Sequence, residues 1–282
     1  MQTKEIREKI KSVGNIKKIT KTMEMVSAAK MKKAVDGAMI LRPFHEEAQD
    51  VLSHVSKDYL VNHPLLRDNH VKNELLILIT SNKGLCGSYN LNVYKKLVDS
   101  YGEAKRKSTK IIAIGRYSEK ISKKLNMEVI ASFPGAVITT DDARVISKMI
   151  IEKFLNKEIG VVNFLFTHFT KATTFTPTYI QMLPFKSEDK EHHFGELRYE
   201  YEPGQGSVLD AIIPMMFENI IYGGALESYA SEHSARMFAM KSATENAGEI
   251  QKDLKLYYNR ARQSAVTQEI AEITTGAMAL TG

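Results

Sequence analysis

From Ile6 onward the apolar residues of this chain step by three and four: Ile6, Ile10, Val13, Ile16, Ile19, Met23 and Val26. That is the seam of a helix packing on another helix. The pattern continues through Ala34, Ala38, Leu41, Phe44, Ala48, Val51, Leu52 and Val55 and stops at His63-Pro64. It returns at Ser207 with Val208, Ile212, Met215, Met216 and Ile220. Leu226, Tyr229, Met237, Met240, Ile250, Leu254, Tyr257, Ala261, Ala265 and Ile270 carry it on, and no proline follows Pro214. The spacing predicts helices of about 55 and about 74 residues, roughly 80 and 110 Å long. Helices of that length bury their seams only by running side by side and antiparallel. Gly14, Gly37, Gly223, Gly224 and Gly248 weaken them locally, and Pro43 is expected to kink or interrupt the first.

Between the two arms the period changes. Residues 74–80, 110–115, 128–133 and 161–167 are short apolar runs of buried-strand type. Helical stretches lie between them at Asn90 to Lys107, Tyr117 to Leu125 and Asp141 to Asn156. This alternation predicts an α/β body with a mainly parallel sheet. Residues 174–185 read as a further strand, antiparallel at an edge because of Pro177. The expected division is an N-terminal coiled-coil helix over 1–60, an α/β body over 70–200 and a C-terminal coiled-coil helix over 207–282.

Charge is divided unevenly. Of a net +6 on 282 residues, residues 1–33 hold +7, while residues 205–282 hold −3. Opposite charge on the two arms suggests that they face each other or charged partners. No run of about 18 apolar residues is evident, so no transmembrane helix is expected. The first residues resemble neither a signal peptide nor a cleavable presequence. One cysteine, Cys86, leaves no internal disulfide and fits a reducing compartment.

The body invites an enzyme reading, and the motifs do not support it. Thr80 to Ser88 (TSNKGLCGS) follows a strand and precedes a helix, where phosphate loops lie. Neither Gly-x-Gly-x-x-Gly nor Gly-x-x-x-x-Gly-Lys-Ser/Thr is present, and Cys86 has no histidine at a suggestive position. A packing role is the expectation for this turn. The eight histidines show no metal-ligand spacing and are expected to be solvated. No catalytic residue, cofactor or metal site is expected. The basic stretch Lys17-Lys18-Ile19-Thr20-Lys21, with Lys30, Lys32 and Lys33, fits a solvated face, a carboxylate-bearing protein or a polyanion. Residues 1–43 contain no aromatic side chain for base stacking, so nucleic acid is not expected.

The arms differ in length by about 18 residues, roughly 27 Å of helix. The overhanging tip, Thr274 to Gly282, carries no charged side chain.

Several segments together carry a family resemblance. VTQEIAEITTGAMA, with Thr267, Glu269, Glu272, Gly276 and Ala277 at characteristic spacing, resembles the C-terminal signature of ATP synthase gamma subunits. IKSVGNIKKITKTMEMVSAAKMKKA, SNKGLCGSYN, YEYEP at 199–203 and SEHSARMFAMKSATENA are similar to the same family. Lys83 stands where arginine is frequent, and the two-cysteine insert of chloroplast relatives is absent.

The resemblance implies a long antiparallel coiled coil flanking a Rossmann-like α/β domain. It implies the central shaft of an F-type ATP synthase, transmitting torque between an ion-driven rotor ring and a catalytic hexamer. The implied partners are three alpha and three beta subunits, an epsilon subunit and a ring of c subunits, with one copy of the shaft. The implied location is the cytoplasmic face of a bacterial inner membrane, as a peripheral protein. Carried over residue by residue, Met23, Arg236, Gln263, Thr267 and Glu269 would contact beta, and Tyr199 would lie near the rotor ring and epsilon. The competing readings are an α/β nucleotide-binding enzyme with helical extensions and a coiled-coil scaffold.

Overall fold

The computed structural model describes residues 3–57, 63–135, 137–185, 202 and 204–281. Tyr199, His192 and His193 lie outside the described residues. In chain order the elements are α1 (Thr3–Lys57), β1 (Glu74–Ile79), α2 (Tyr89–Ser100), α3 (Glu103–Ser108), β2 (Thr109–Ile114) and α4 (Arg116–Lys124). There follow β3 (Glu128–Phe133), α5 (Thr140–Leu155), β4 (Val161–Lys171), β5 (Thr174–Leu183) and α6 (Gln205–Thr281). A short 3-10 turn at Pro64–Leu66 precedes β1.

The sheet order is β3-β2-β1-β4-β5, with the first four strands parallel and β5 antiparallel to β4. β1 lies in the middle, which explains its continuous apolar run. Its alternate residues serve two cores. Leu76 and Leu78 join Val93 and Leu97 of α2 and Ile121 of α4 on one face. Leu75, Ile77 and Ile79 join Ile146 and Ile150 of α5 and Leu209, Ile213 and Phe217 of α6 on the other. α5 is started by a capping box between Thr139 and Asp142.

Two expectations are corrected, and that for Pro43 is narrowed to a helix without a break. The single helix over Asn90 to Lys107 is two, α2 and α3, because Tyr101 turns extended to bury its ring and Gly102 starts a new cap. α1 runs through Pro43 without interruption; that residue is exposed, so water can serve the carbonyl that the proline leaves unpaired. The histidines are not all solvated: His63 and His233 are buried. The Leu65 N–H donates to His63 Nδ1, so Nε2 carries the proton donated to Asp210, 3.1 Å away. By length and composition α6 is also a candidate membrane span. Its apolar Leu209, Ile213, Met216, Phe217 and Ile221 are instead buried in the sheet core.

The chain forms two compact units, one of Met1–Ser27 with Arg236–Gly282 and one of Ala28–Ala235. The first is a pair of antiparallel helices. Thr20 and Thr244 hydroxyls are 2.7 Å apart. A Cβ on Gly14 would lie 3.0 Å from Gln251 Nε2, and one on Gly248 would lie 3.2 Å from Lys17 Nζ. The expected seam is half right here: Ile6 and Met240 are buried and Ile10, Val13 and Met23 partly so, but the rest of the row is not. Thr20 and Ser27 are buried, while Ile16, Ile19 and Val26 are 50%, 58% and 48% exposed. Small side chains let the two backbones approach, and the bulkier apolar row points outward. Ile250, Tyr257 and Ile270 of the expected α6 seam are likewise exposed. Continuing the register puts Thr3 opposite Arg262, and every residue from Arg262 to Met278 is exposed.

Candidate functional site

Within the α/β unit, the C-terminal edge of the parallel strands is where such sheets hold ligands. Here α6 occupies that place. Ala225, Ser228, Tyr229 and Glu232 of α6 meet Ile79, Thr80, Asn82, Tyr89 and Gly115, leaving a cavity of about 30 Å³. That volume is enough for about one water molecule.

The turn Thr80 to Ser88 is tied down in detail. Asn90 accepts the Ser81 N–H at 3.1 Å and donates to Ser81 Oγ at 2.7 Å. Asn82 accepts the Arg116 N–H at 3.0 Å. Cys86 is buried beside Tyr89 and Ala235. Asn90, near the start of α2, thus serves the turn's own backbone.

α6 also completes the sheet. β1 ends at Ile79, but β4 continues to Lys171. The backbone groups of β4 beyond the last β1 pairing need other partners. Ser228 accepts the Thr167 N–H at 2.9 Å, and Ser231 donates to the Thr167 carbonyl at 3.4 Å. Glu227 accepts the Phe169 N–H at 3.2 Å and holds His168 Nδ1 at 2.6 Å. Ser234 donates to the carbonyl of Ala172 in the turn after β4. Three buried serines, each three residues after the last, therefore fasten α6 to β4 and its turn. Gly224 fits the same joint: a Cβ there would lie 2.5 Å from Phe164 Cε1. Apolar periodicity alone does not reveal this joint. Its signal was legible as polar Ser228, Ser231 and Ser234 on one stripe of a helix otherwise buried by apolar residues.

Tyr89 lies at the centre of the joint, and burial, followed by the Glu232 carboxylate, pushes its phenol far above the usual value. Burial also raises Tyr101 and Tyr179. An unfolded tyrosine ionises near pH 10. These phenols are neutral in the fold, so their stabilisation is full below pH about 10 and is lost as pH rises towards the folded values. Absorbance titration run alongside circular dichroism tests this. These three should ionise only with loss of the α/β unit's circular dichroism; a smooth titration of all tyrosines in folded protein would contradict this.

In the helix-pair unit, Lys17, Lys18 and Lys21 line an open groove with Thr22, Thr244 and Gln251. Met23 is half-buried and Arg236 buried. Gln263 and Thr267 share a shallow patch with Arg260, Ser264, Gln268 and Ala271, and Glu269 is exposed nearby in sequence. Among the described residues no three His, Cys, Asp or Glu side chains are grouped to hold a metal.

A family model described as ATP synthase matches residues 2–280. The ATP synthase gamma chain of Staphylococcus saprophyticus is 38% identical over 98% of both chains. The chain belongs to the ATP synthase gamma chain family. The gamma chain of Desulforamulus reducens is 35% identical over the same share of both chains. Among solved structures, a chain from the OSCP/F1/c-ring structure of the Euglena gracilis mitochondrial ATP synthase has TM-score 0.69 at 16% identity, covering 99% of this chain and 94% of that one. A chain from the central stalk and c-ring of the Tetrahymena thermophila enzyme has TM-score 0.60 at 22% identity, covering 80% and 99%. These likenesses establish the gamma-type fold: a five-stranded mixed sheet between an N-terminal and a long C-terminal helix.

Proposed function

We propose that this gamma-family chain is the central rotary shaft of an F-type ATP synthase and catalyses nothing itself. It carries torque between a membrane rotor ring and a hexamer of three alpha and three beta subunits, in which beta makes or hydrolyses ATP. The carrying observation is the outward apolar row of the helix pair. Ile16, Ile19 and Val26 on α1, and Ile250, Leu256, Ile270 and Ile273 on α6, are all about half exposed or more. Exposed apolar rows of this size mark an interaction surface. A hexamer's inner wall would cover them, and contact through apolar side chains has little angular preference. The non-catalytic reading is supported by α6 filling the crevice where an α/β enzyme would hold its substrate.

The partners are alpha, beta, epsilon and the c-ring, with one shaft per complex, on the cytoplasmic face of a bacterial inner membrane. Met23, Arg236, Gln263, Thr267 and Glu269 contact beta. Lys17, Lys18 and Lys21 beside Met23 suit an acidic segment there. The buried joint of α6 with β4 passes torque from the α/β body into the helix. Tyr199 faces the rotor ring and epsilon.

The test is purification of the complex from native membranes. One copy of this chain per three alpha–beta pairs is expected, and recovery apart from them would refute the reading. Met23→Lys should lower proton pumping per ATP hydrolysed in vesicles while hydrolysis continues. An unchanged ratio would remove Met23 from the contact.

A further inference from the structure

The most basic stretch of the chain is not the N-terminal arm. Residues 83–124 carry eleven Lys/Arg and three Asp/Glu, a local +8. They span α2, α3, β2 and α4 with their connections, and α2 and α4 cover one face of the sheet. Lys95 and Lys96 on α2 and Lys120, Lys123 and Lys124 on α4 are exposed. Among the described residues none of the five has a carboxylate partner within 4.0 Å; Lys105 and Lys107, by contrast, pair with Glu74 and Glu103.

We propose that this outer face of the α/β body is a docking surface for anionic phospholipid headgroups. Three features favour a lipid surface. The charge is almost all lysine, nine of eleven residues. Sites that recognise protein carboxylates favour the arginine fork, whereas lysine is a point charge suited to diffuse attraction. One of the two arginines, Arg106, is committed to the Tyr101 carbonyl at 2.8 Å. The aromatic rings nearby are capped: Lys124 lies 4.9 Å from the Tyr94 ring centre and Lys120 lies 4.8 Å from that of Tyr117. Those rings are not open for stacking nucleobases. A diffuse attraction also leaves a turning body without a preferred angle.

The test uses the full isolated chain, so its failure leaves the shaft reading intact. Flotation is measured with phosphatidylcholine vesicles and with vesicles of phosphatidylcholine and phosphatidylglycerol in equal parts. Binding is expected only to the anionic vesicles and should weaken as salt rises. Replacing Lys95, Lys96, Lys120, Lys123 and Lys124 together by Gln should lower the bound-to-free ratio at least about tenfold. Lys17→Gln/Lys18→Gln/Lys21→Gln on the arm should lower it less. Should the fivefold variant lose its circular dichroism, Lys95→Gln/Lys96→Gln carries the same test with a smaller fall. No binding to anionic vesicles, an unchanged ratio in the face variant, or a loss in the arm variant as large as that in the face variant would overturn the proposal.

Discussion

Gly115→Ala is expected to lower the stability of the α/β unit so far that it denatures at low urea or fails to accumulate. Gly115 follows β2 at φ 87° and ψ 151°, a region open almost only to glycine. A Cβ there would stand 2.2 Å from the Thr80 carbonyl oxygen. Neither side can give way. Thr80 N–H is bonded to Ile114 O at 3.0 Å, and Gly115 N–H to Phe133 O at 3.0 Å. Backbone strain of about 1–3 kcal/mol adds to overpacking of about 1–3 kcal/mol. Together, about 2–6 kcal/mol, these are a large part of the stability of a typical domain, about 5–15 kcal/mol. Urea unfolding followed by circular dichroism measures the shift. Gly276→Ala is the control, since its Cβ would meet nothing within 4 Å. A midpoint for Gly115→Ala equal to that of the control would contradict this reading of the turn.

The second large effect is expected at the joint. Glu227→Ala with Ser228→Ala removes the acceptors of the Phe169 and Thr167 N–H groups. The orphaned buried donor of Thr167 costs about 1–3 kcal/mol, and the partly buried one of Phe169 less. The two sit on one strand and one helix, so their effects are not expected to add. Hydrogen exchange should quicken first at 167 and 169, where α6 stands in for a missing strand. Exchange at Leu76 to Leu78, deep in the sheet, should change little. Protection at 167 and 169 equal to wild type would show that α6 is not their partner. If torque reaches α6 through this contact as proposed, the same pair should lower pumping per ATP in the assembled motor.

The architecture was legible because it rests on period alone. Four apolar runs alternating with helical stretches indicate parallel strands whatever fills the core, and Pro177 placed β5 at an edge. The coiled-coil seam was misread for a physical reason. Ile16, Ile19 and Val26 look like seam residues because they are apolar at helical spacing. In this chain Thr20, Ser27, Gly14 and Gly248 make the close approach beside Ile6 and Met240, and a second apolar row, Ile16, Ile19 and Val26, is left for the outside. Periodicity cannot tell a helix's own partner from a partner in another chain. The Ser228 stripe was hidden for the converse reason: a buried serine looks like a solvated one until the strand that it serves is known. The basic face was hidden by summation. Its +8 cancels against acidic residues elsewhere, and its lysines come together only when α2 and α4 lie on one side of the sheet.

The central claim is that the chain turns inside the hexamer and carries torque. Cys86 is the sole cysteine and is buried, so Lys107→Cys, at a side chain 72% exposed on the α/β body, offers one accessible thiol. A bead on that thiol, in a complex with alpha and beta subunits fixed to glass by beta, is watched while ATP is supplied. The account predicts rotation in one direction, in three equal steps per turn, at a rate that follows hydrolysis. Sustained hydrolysis with a stationary bead would contradict it.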